Sequence, residues 1–160
     1  MRRSRGFGIH SPFAFDLVQN TLRERSPYYI YSLIDTMQPC HRDSLKLIVR
    51  LVCRLRPLSC CVVGDIAPEA GQVIKGTDSG VTFTDASHAA MIIAGHNAPL
   101  SPADVTACLE RGGTVVILDK TSASLPDNIF TDRAMTFSNG RVIIAVGRHD
   151  LPHQRFELNF

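Results

Sequence analysis

The pattern of hydrophobic and polar positions changes at Pro57, from helical spacing before it to short apolar runs after it. The clearest helix is HRDSLKLIVRLVCRLR, in which apolar residues recur every three or four positions. Its apolar stripe consists of Leu45, Ile48, Val49, Val52 and Leu55. Pro57 ends this helix because proline lacks an amide N–H and clashes with the preceding turn. A further helix is predicted from about Pro12 to Glu24, with Ser11 as its N-cap.

The part of the chain after Pro57 is predicted to form a sheet. Four apolar runs are typical of strands buried in a parallel sheet: SCCVVG, VTFT, AAMIIAG and TVVILD. The helical segment PADVTACLERGG lies between the last two runs, and a strand–helix–strand unit of this kind predicts parallel strands. Asn139-Gly140 separates RAMTF from RVIIAVG and predicts an antiparallel hairpin.

These elements predict the fold class and the domain organisation. We expect an α/β protein with a Rossmann-like, doubly wound and mostly parallel sheet, N-terminal helices and a C-terminal antiparallel hairpin. A length of 160 residues fits one domain, helical over 1–56 and sheet-containing over 57–160.

The composition excludes several classes of protein. No apolar run approaches the roughly 18 residues of a membrane span, and the basic start lacks the apolar centre of a secretory signal. The five cysteines are an odd number and form no C-x-x-C pair, which argues against a disulfide framework and a zinc ribbon. We therefore expect a cytoplasmic protein without a membrane partner, whose cysteines are small buried hydrophobes.

The charge is distributed unevenly along the chain. Residues 1–56 contain ten Lys and Arg against four Asp and Glu, a net charge of +6. Residues 57–160 contain seven against eleven, a net charge of −4. The excess includes a basic helical stripe and three early arginines: Arg42, Lys46, Arg50 and Arg54 with Arg2, Arg3 and Arg5. No nucleic-acid-binding motif accompanies them, so a solvated helix face is the simpler interpretation and nucleic acid is not the expected partner.

Four segments together resemble one bacterial family: RGFGIHSPFAFD, YYIY, LIVRLVCRLRP and QRFELNF. The chain resembles the class I S-adenosylmethionine-dependent methyltransferase-like proteins that are related to the O-methyltransferases. An antiparallel strand pair at the end of the sheet is also typical of that family. The resemblance implies S-adenosylmethionine as the cofactor and a small-molecule methyl acceptor. It further implies that the aromatic-rich N-terminal helices pack on the sheet or form a homodimer.

The resemblance places the cofactor beside the turn after the first strand, in CVVGDIAPEAG. Gly64 corresponds to the first glycine of the family's turn, where a glycine lets the backbone approach the ligand, although an ordinary tight turn needs one too. Gly71 corresponds to the later glycine if one insertion is allowed. Asp65 and Glu69 would bring negative charge to this turn and meet the ammonium or ribose of the cofactor. Asp85, with Asp78 as the other candidate, would follow the second strand as the ribose ligand.

Several positions depart from the family's pattern. Val62 stands where the family has an acidic residue, and Pro68 stands where it has the later glycine. Only 25 residues separate Gly64 from Ala90. One complete βαβ unit takes roughly 30 residues, so two helices and two strands cannot fit between them. We therefore expect that part of the adenosine pocket has been deleted.

His96 and Asp119 are the candidate catalytic residues. They follow the runs AAMIIAG and TVVILD, at the ends of strands where α/β sheets place their ligands. Each is equally compatible with an ordinary loop position, and Asp119 with a helix cap. Related metal-dependent enzymes have aspartates where this chain has Ala94 and Lys120, so we expect no metal site.

The sequence thus predicts a methyltransferase-like protein with a degenerate active site and impaired or absent catalysis. Two alternatives stay open, namely a non-catalytic interaction or dimerisation module on the same fold and a basic nucleic-acid binder. An open pocket beside residues 64–71 would favour the enzyme. Filling of that pocket by side chains such as Ile66, Val73 or Ile74 would favour the module.

Overall fold

The computed structural model describes residues 11–126 and 128–160, so the expectations for Arg2, Arg3 and Arg5 lie outside the described residues. The first part is helical, with α1 at Pro12–Leu17, a π-helical turn at Val18–Leu22, α2 at Tyr31–Ile34, a 3-10 turn at Pro39–His41 and α3 at Arg42–Leu55. The Ser11 side chain accepts a hydrogen bond from the Ala14 amide, which confirms the predicted N-cap. The first helix is shorter than predicted, because its π-helical continuation ends before Glu24.

Seven strands form one mixed sheet in the order β2-β1-β3-β4-β6-β5-β7. They are β1 Ser59–Val63, β2 Thr82–Phe83, β3 Met91–Ala94, β4 Thr114–Ile117, β5 Met135–Ser138, β6 Ile143–Val146 and β7 Arg155–Glu157. The first four run parallel, joined by α4 at Ala67–Thr77 between β1 and β2 and by α5 at Pro102–Glu110 between β3 and β4. These elements confirm an α/β fold. They also leave one helix and one two-residue strand between Gly64 and Ala90.

The predicted antiparallel hairpin is present as β5 and β6, but it does not end the sheet. Gly140 in its turn has a φ of +94°, and the Asn139 Oδ1 atom accepts hydrogen bonds from the amides of Arg141 and Val142. The chain continues to β7, which pairs parallel with β5 at the edge. The expected C-terminal hairpin is therefore correct in its pairing and wrong in its position within the sheet.

Helices cover both faces of the sheet, and each face has its own hydrophobic core. The N-terminal helices, α3 and α4 share one core with Ile93 of β3, whereas α5 shares the other with Ile92. Neighbouring strand residues point to opposite faces, so these two isoleucines belong to different cores. No helix within the described residues has the length and apolar character that a membrane span requires.

The basic stripe of α3 is only in part a solvated face, because Arg54 is exposed and the other three members are half-buried. Arg50 donates hydrogen bonds to the Thr21 carbonyl at 2.8 Å and to the Tyr31 hydroxyl at 3.3 Å. Arg42 donates a hydrogen bond to the Met37 carbonyl. Lys46 forms an ion pair with Asp35, and Arg54 forms one with Asp16. The stripe therefore fastens the N-terminal helices to α3.

All five cysteines are free thiols. Cys60, Cys61 and Cys108 are buried, as expected, whereas Cys40 and Cys53 are exposed. The expectation that every cysteine is buried is thus wrong for the two that precede the sheet.

Candidate functional site

The order of the strands reverses between β1 and β3, because the chain leaves β1 towards β2 on one side and returns to β3 on the other. In open α/β sheets, ligands bind at such a point, beyond the carboxyl ends of the strands. The loops that follow β1 and β3 here contain Gly64, Asp65, Ile66, Gly95 and His96. We call these five residues the switch-point loops.

The switch-point loops are in direct contact with each other. Two hydrogen bonds join the loops: the Asp65 amide donates to the His96 carbonyl at 3.3 Å, and the His96 amide donates to Asp65 Oδ1 at 2.9 Å. In a third, the Gly95 amide donates to the Val63 carbonyl at the end of β1, at 2.8 Å. Gly64 has a φ of +97°, and a Cβ atom there would lie 2.9 Å from the His96 carbonyl oxygen. A Cβ on Gly95 would lie 2.8 Å from both Asp65 Oδ1 and a methyl of Ile66. Both glycines are therefore required by the approach of one loop to the other.

A half-buried histidine bridges two carboxylates beside these loops. This residue is His41. Its Nδ1 atom lies 2.6 Å from Glu69 Oε1, and its Nε2 atom lies 3.3 Å from Asp65 Oδ2. Hydrogen bonding to Glu69 raises the pKa of His41 against the opposing effect of burial. Burial acts to raise the pKa of Asp65, but hydrogen bonds from His41 and the His96 amide outweigh it and lower that pKa. In the imidazolium form of His41 both ring nitrogens donate, one towards each carboxylate.

His96 and Asp119 form a dyad at the carboxyl ends of β3 and β4. The Nδ1 atom of His96 lies 2.8 Å from Asp119 Oδ2, and the Thr121 amide and hydroxyl both donate to Asp119 Oδ1. The Thr121 hydroxyl and then His96 lower the pKa of Asp119 to about 2. Because an ionised carboxylate only accepts, the Nδ1 atom of His96 donates this hydrogen bond, and the His96 ring is half exposed.

These contacts connect into one polar network. It runs from Glu69 through His41 and Asp65 to His96 and Asp119. Gly64, Asp65, His96 and Asp119, four of the six site residues predicted from sequence, thus lie together at the carboxyl ends of the strands.

The other two predicted site residues lie apart from the network. Gly71 is inside α4, where a Cβ atom would meet nothing within 4 Å, so no close approach requires a glycine there. Asp85 follows β2 at the same end of the sheet, but it is exposed and contacts its own loop through Ser87 at 2.6 Å and His88 at 2.8 Å. Hydrogen bonds from Ser87 and then His88 lower the pKa of Asp85.

The switch-point loops do not fit S-adenosylmethionine in the position that the resemblance implies. The space beside Gly64 is filled by the His96 carbonyl, and Ile66 is only 2% exposed. Val73 and Ile74 are fully buried in the core below. Nor does any group of three or more His, Cys, Asp or Glu side chains in the described parts of the chain form a metal site.

Sequence reasoning missed His41 and Gly95. His41 lies in a 3-10 turn before α3 and reaches the site only because α3 and α4 pack together. The four-residue spacing of Asp65 and Glu69 was the available signal, since residues so spaced at a helix start can face one partner. Gly95 offered no signal by itself, because a glycine is required there only by the close approach of Asp65 and Ile66 from the opposite loop.

The chain matches no protein-family model, no curated protein and no solved structure. The site is therefore defined by its own geometry, namely a closed pair of loops flanked by a His–Asp dyad and by a histidine that contacts two carboxylates.

Proposed function

We propose that this chain is a methyltransferase-like protein whose cofactor crevice is closed by its own residues, so that it acts as a non-catalytic binding module. The observation that carries the proposal is the contact between the switch-point loops. Asp65 Oδ1 accepts a hydrogen bond from the His96 amide, and Ile66 packs against Gly95. In a working enzyme the cofactor would lie between these two loops.

The sheet supports the methyltransferase-like part of the proposal. Parallel strands β2, β1, β3 and β4 are followed by an antiparallel strand, β6, which lies between β4 and β5. Helices cover both faces, as in a doubly wound, Rossmann-like fold. The five free thiols support a reducing compartment such as the cytoplasm.

The proposal is tested by thermal unfolding of the full chain with millimolar S-adenosylmethionine or its demethylated product. We expect an unchanged melting temperature with either compound, because the contact between the loops fills the space beside Gly64. A ligand at 100 times its Kd would add about 2.7 kcal/mol and raise the melting temperature of a chain this size by ~5–10 °C. A shift of that size in the natural chain contradicts the proposal.

A matched pair of variants tests whether loop closure is the cause. Ile66→Ala removes the methyl group that packs on Gly95, whereas Ile74→Ala removes the same atoms from the core of α4. Each should cost about 2–5 kcal/mol of unfolding free energy. If closure excludes the cofactor, only Ile66→Ala should gain a response to S-adenosylmethionine, measured as a shift relative to its own ligand-free melting temperature.

A further inference from the structure

A second feature lies at the opposite end of the sheet from the switch-point loops. A cavity of about 410 Å³ is lined by Met91 and Thr114, the first residues of β3 and β4. Val146, the last residue of the antiparallel β6, lines it as well. This volume lies within the range of small-molecule sites, which is about 300–1,000 Å³.

The charged side chains that line the cavity are all basic. They are Arg54, Arg56, Arg111 and Arg148, with His88, and no Asp or Glu is among the lining residues. Two of the arginines are neutralised from outside, Arg54 by Asp16 and Arg148 by Asp150. Within the described residues, Arg56 and Arg111 have no carboxylate at ion-pair distance, and Arg111 donates instead to the Ala89 carbonyl at 2.9 Å. The lining therefore carries about two uncompensated positive charges.

Arg56 occupies a backbone position that side chains disfavour. It follows the last residue of α3 with φ 47° and ψ 57°, the left-handed conformation in which glycine is the usual residue. Its amide closes the helix through the Val52 carbonyl, a contact that glycine would make equally well. The negative end of the helix dipole favours a basic side chain at this position, and the Arg56 side chain also lines the cavity.

The remaining lining is apolar, with one hydroxyl group. Phe13, Leu55 and Leu58 line the cavity, and the Arg148 guanidinium lies 5.0 Å from the centre of the Phe13 ring. Thr114 is only 6% exposed and carries the one side-chain hydroxyl of the lining. The cavity therefore offers cationic donors, an apolar surface and one hydroxyl group.

We propose that this cavity binds a small molecule that carries a phosphate group on an aromatic or aliphatic body. Arg56 and Arg111 bind the phosphate, because guanidinium groups match its oxygens with paired donors and two cations match its two negative charges. Phe13 and Leu55 contact the body of the ligand. The proposal does not depend on the switch-point loops, since no residue of those loops lines the cavity.

The test is a calorimetric titration of the full chain with phenyl phosphate, in a buffer free of phosphate and at low salt. We expect saturable one-to-one binding that is tighter than the binding of inorganic phosphate. Arg56→Gly should weaken it at least about tenfold, because one charge-assisted hydrogen bond is lost. Arg56→Lys should recover part of the affinity. Arg25→Gly, at an exposed arginine that does not line the cavity, should leave the affinity unchanged.

Three results would overturn the proposal. The first is no saturable binding of phenyl phosphate by the natural chain. The second is binding that Arg56→Gly and Arg111→Gln leave unchanged, because the phosphate would then lie elsewhere. The third is equal affinity for benzoate, which would assign the cavity to carboxylates. The melting temperature of each variant, measured alongside, establishes that it is folded, and the Arg56 and Arg111 variants are independent of each other.

Discussion

Gly64 and Gly71 both correspond to glycines of the same family motif, yet the structure places them in opposite environments. Gly64 has a left-handed backbone and touches the facing loop, whereas Gly71 lies in a helix with open space beside it. The same substitution at the two positions should therefore have effects of opposite sign.

We expect Gly64→Ala to lower the unfolding free energy by about 2–3 kcal/mol, because it adds a strained φ and forces the loops apart. Gly71→Ala should raise it by about 0.5–1 kcal/mol, because alanine favours a helix and loses less entropy on folding. Urea unfolding of both variants measures the difference. Equal effects would contradict the close contact between the two loops.

His41 makes the stability of the protein depend on pH. Its folded pKa is raised, so its contribution is complete below the unfolded value of about 6.5 and is lost as the pH rises through the folded pKa. The lowered pKa of Asp65 removes part of the same contribution as the pH falls below about 4. The stabilisation by the cluster is therefore largest between these two limits.

We expect His41→Gln to cost about 1–2 kcal/mol near pH 5.5 and clearly less above pH 8. Urea unfolding at the two pH values measures both losses. The control is His153→Gln, at an exposed histidine, which should show no such dependence. A loss from His41→Gln that is the same at both pH values would mean that the imidazolium does not bridge Glu69 and Asp65.

At the scale of single elements, burial in the sheet or in the helix that covers it determines which thiols are accessible to a reagent. Cys60 and Cys61 belong to β1 and Cys108 to α5, and burial raises the pKa of Cys60 to about 12. Cys40 and Cys53 precede the sheet and are exposed.

We expect a thiol reagent at pH 8 to modify two cysteines rapidly in the folded protein and all five after unfolding. Cys40 should react before Cys53, because burial raises the pKa of the Cys53 thiol. Peptide mapping of the modified protein assigns the sites. Rapid modification of Cys108 in the folded protein would contradict its burial in the core between α5 and the sheet.

The elements with a strong local pattern were predictable and those that depend on distant partners were not. Helix α3 and the paired strands β5 and β6 follow from apolar spacing and from Asn139-Gly140, which are local properties. The three residues of β7 are too few for an alternation to be visible in sequence. The His96–Asp119 pair could be anticipated from strand ends, but its link to His41 required the packing of two helices.

At the scale of the whole molecule, the two ends of the sheet differ in character. The carboxyl ends of β1 and β3 are closed by contacts between loops, with acidic groups at the surface. The amino ends of β3 and β4 open into a cavity lined by arginines. The thermal test with S-adenosylmethionine and the titration with phenyl phosphate probe separate ends, so either proposal can fail while the other stands.

The two edge strands of the sheet determine how readily a second molecule can add a strand to it. The outer strands β2 and β7 have only two and three residues, so each offers little unpaired backbone to a second molecule. The half-exposed Phe83 on β2 has the Lys75 ammonium 5.6 Å from its ring centre, and β7 carries the ion pair of Arg155 and Glu157. Short, charged edges disfavour the addition of further strands. We therefore expect the folded chain to resist the addition of further strands, even though its inner strands are rich in valine and isoleucine.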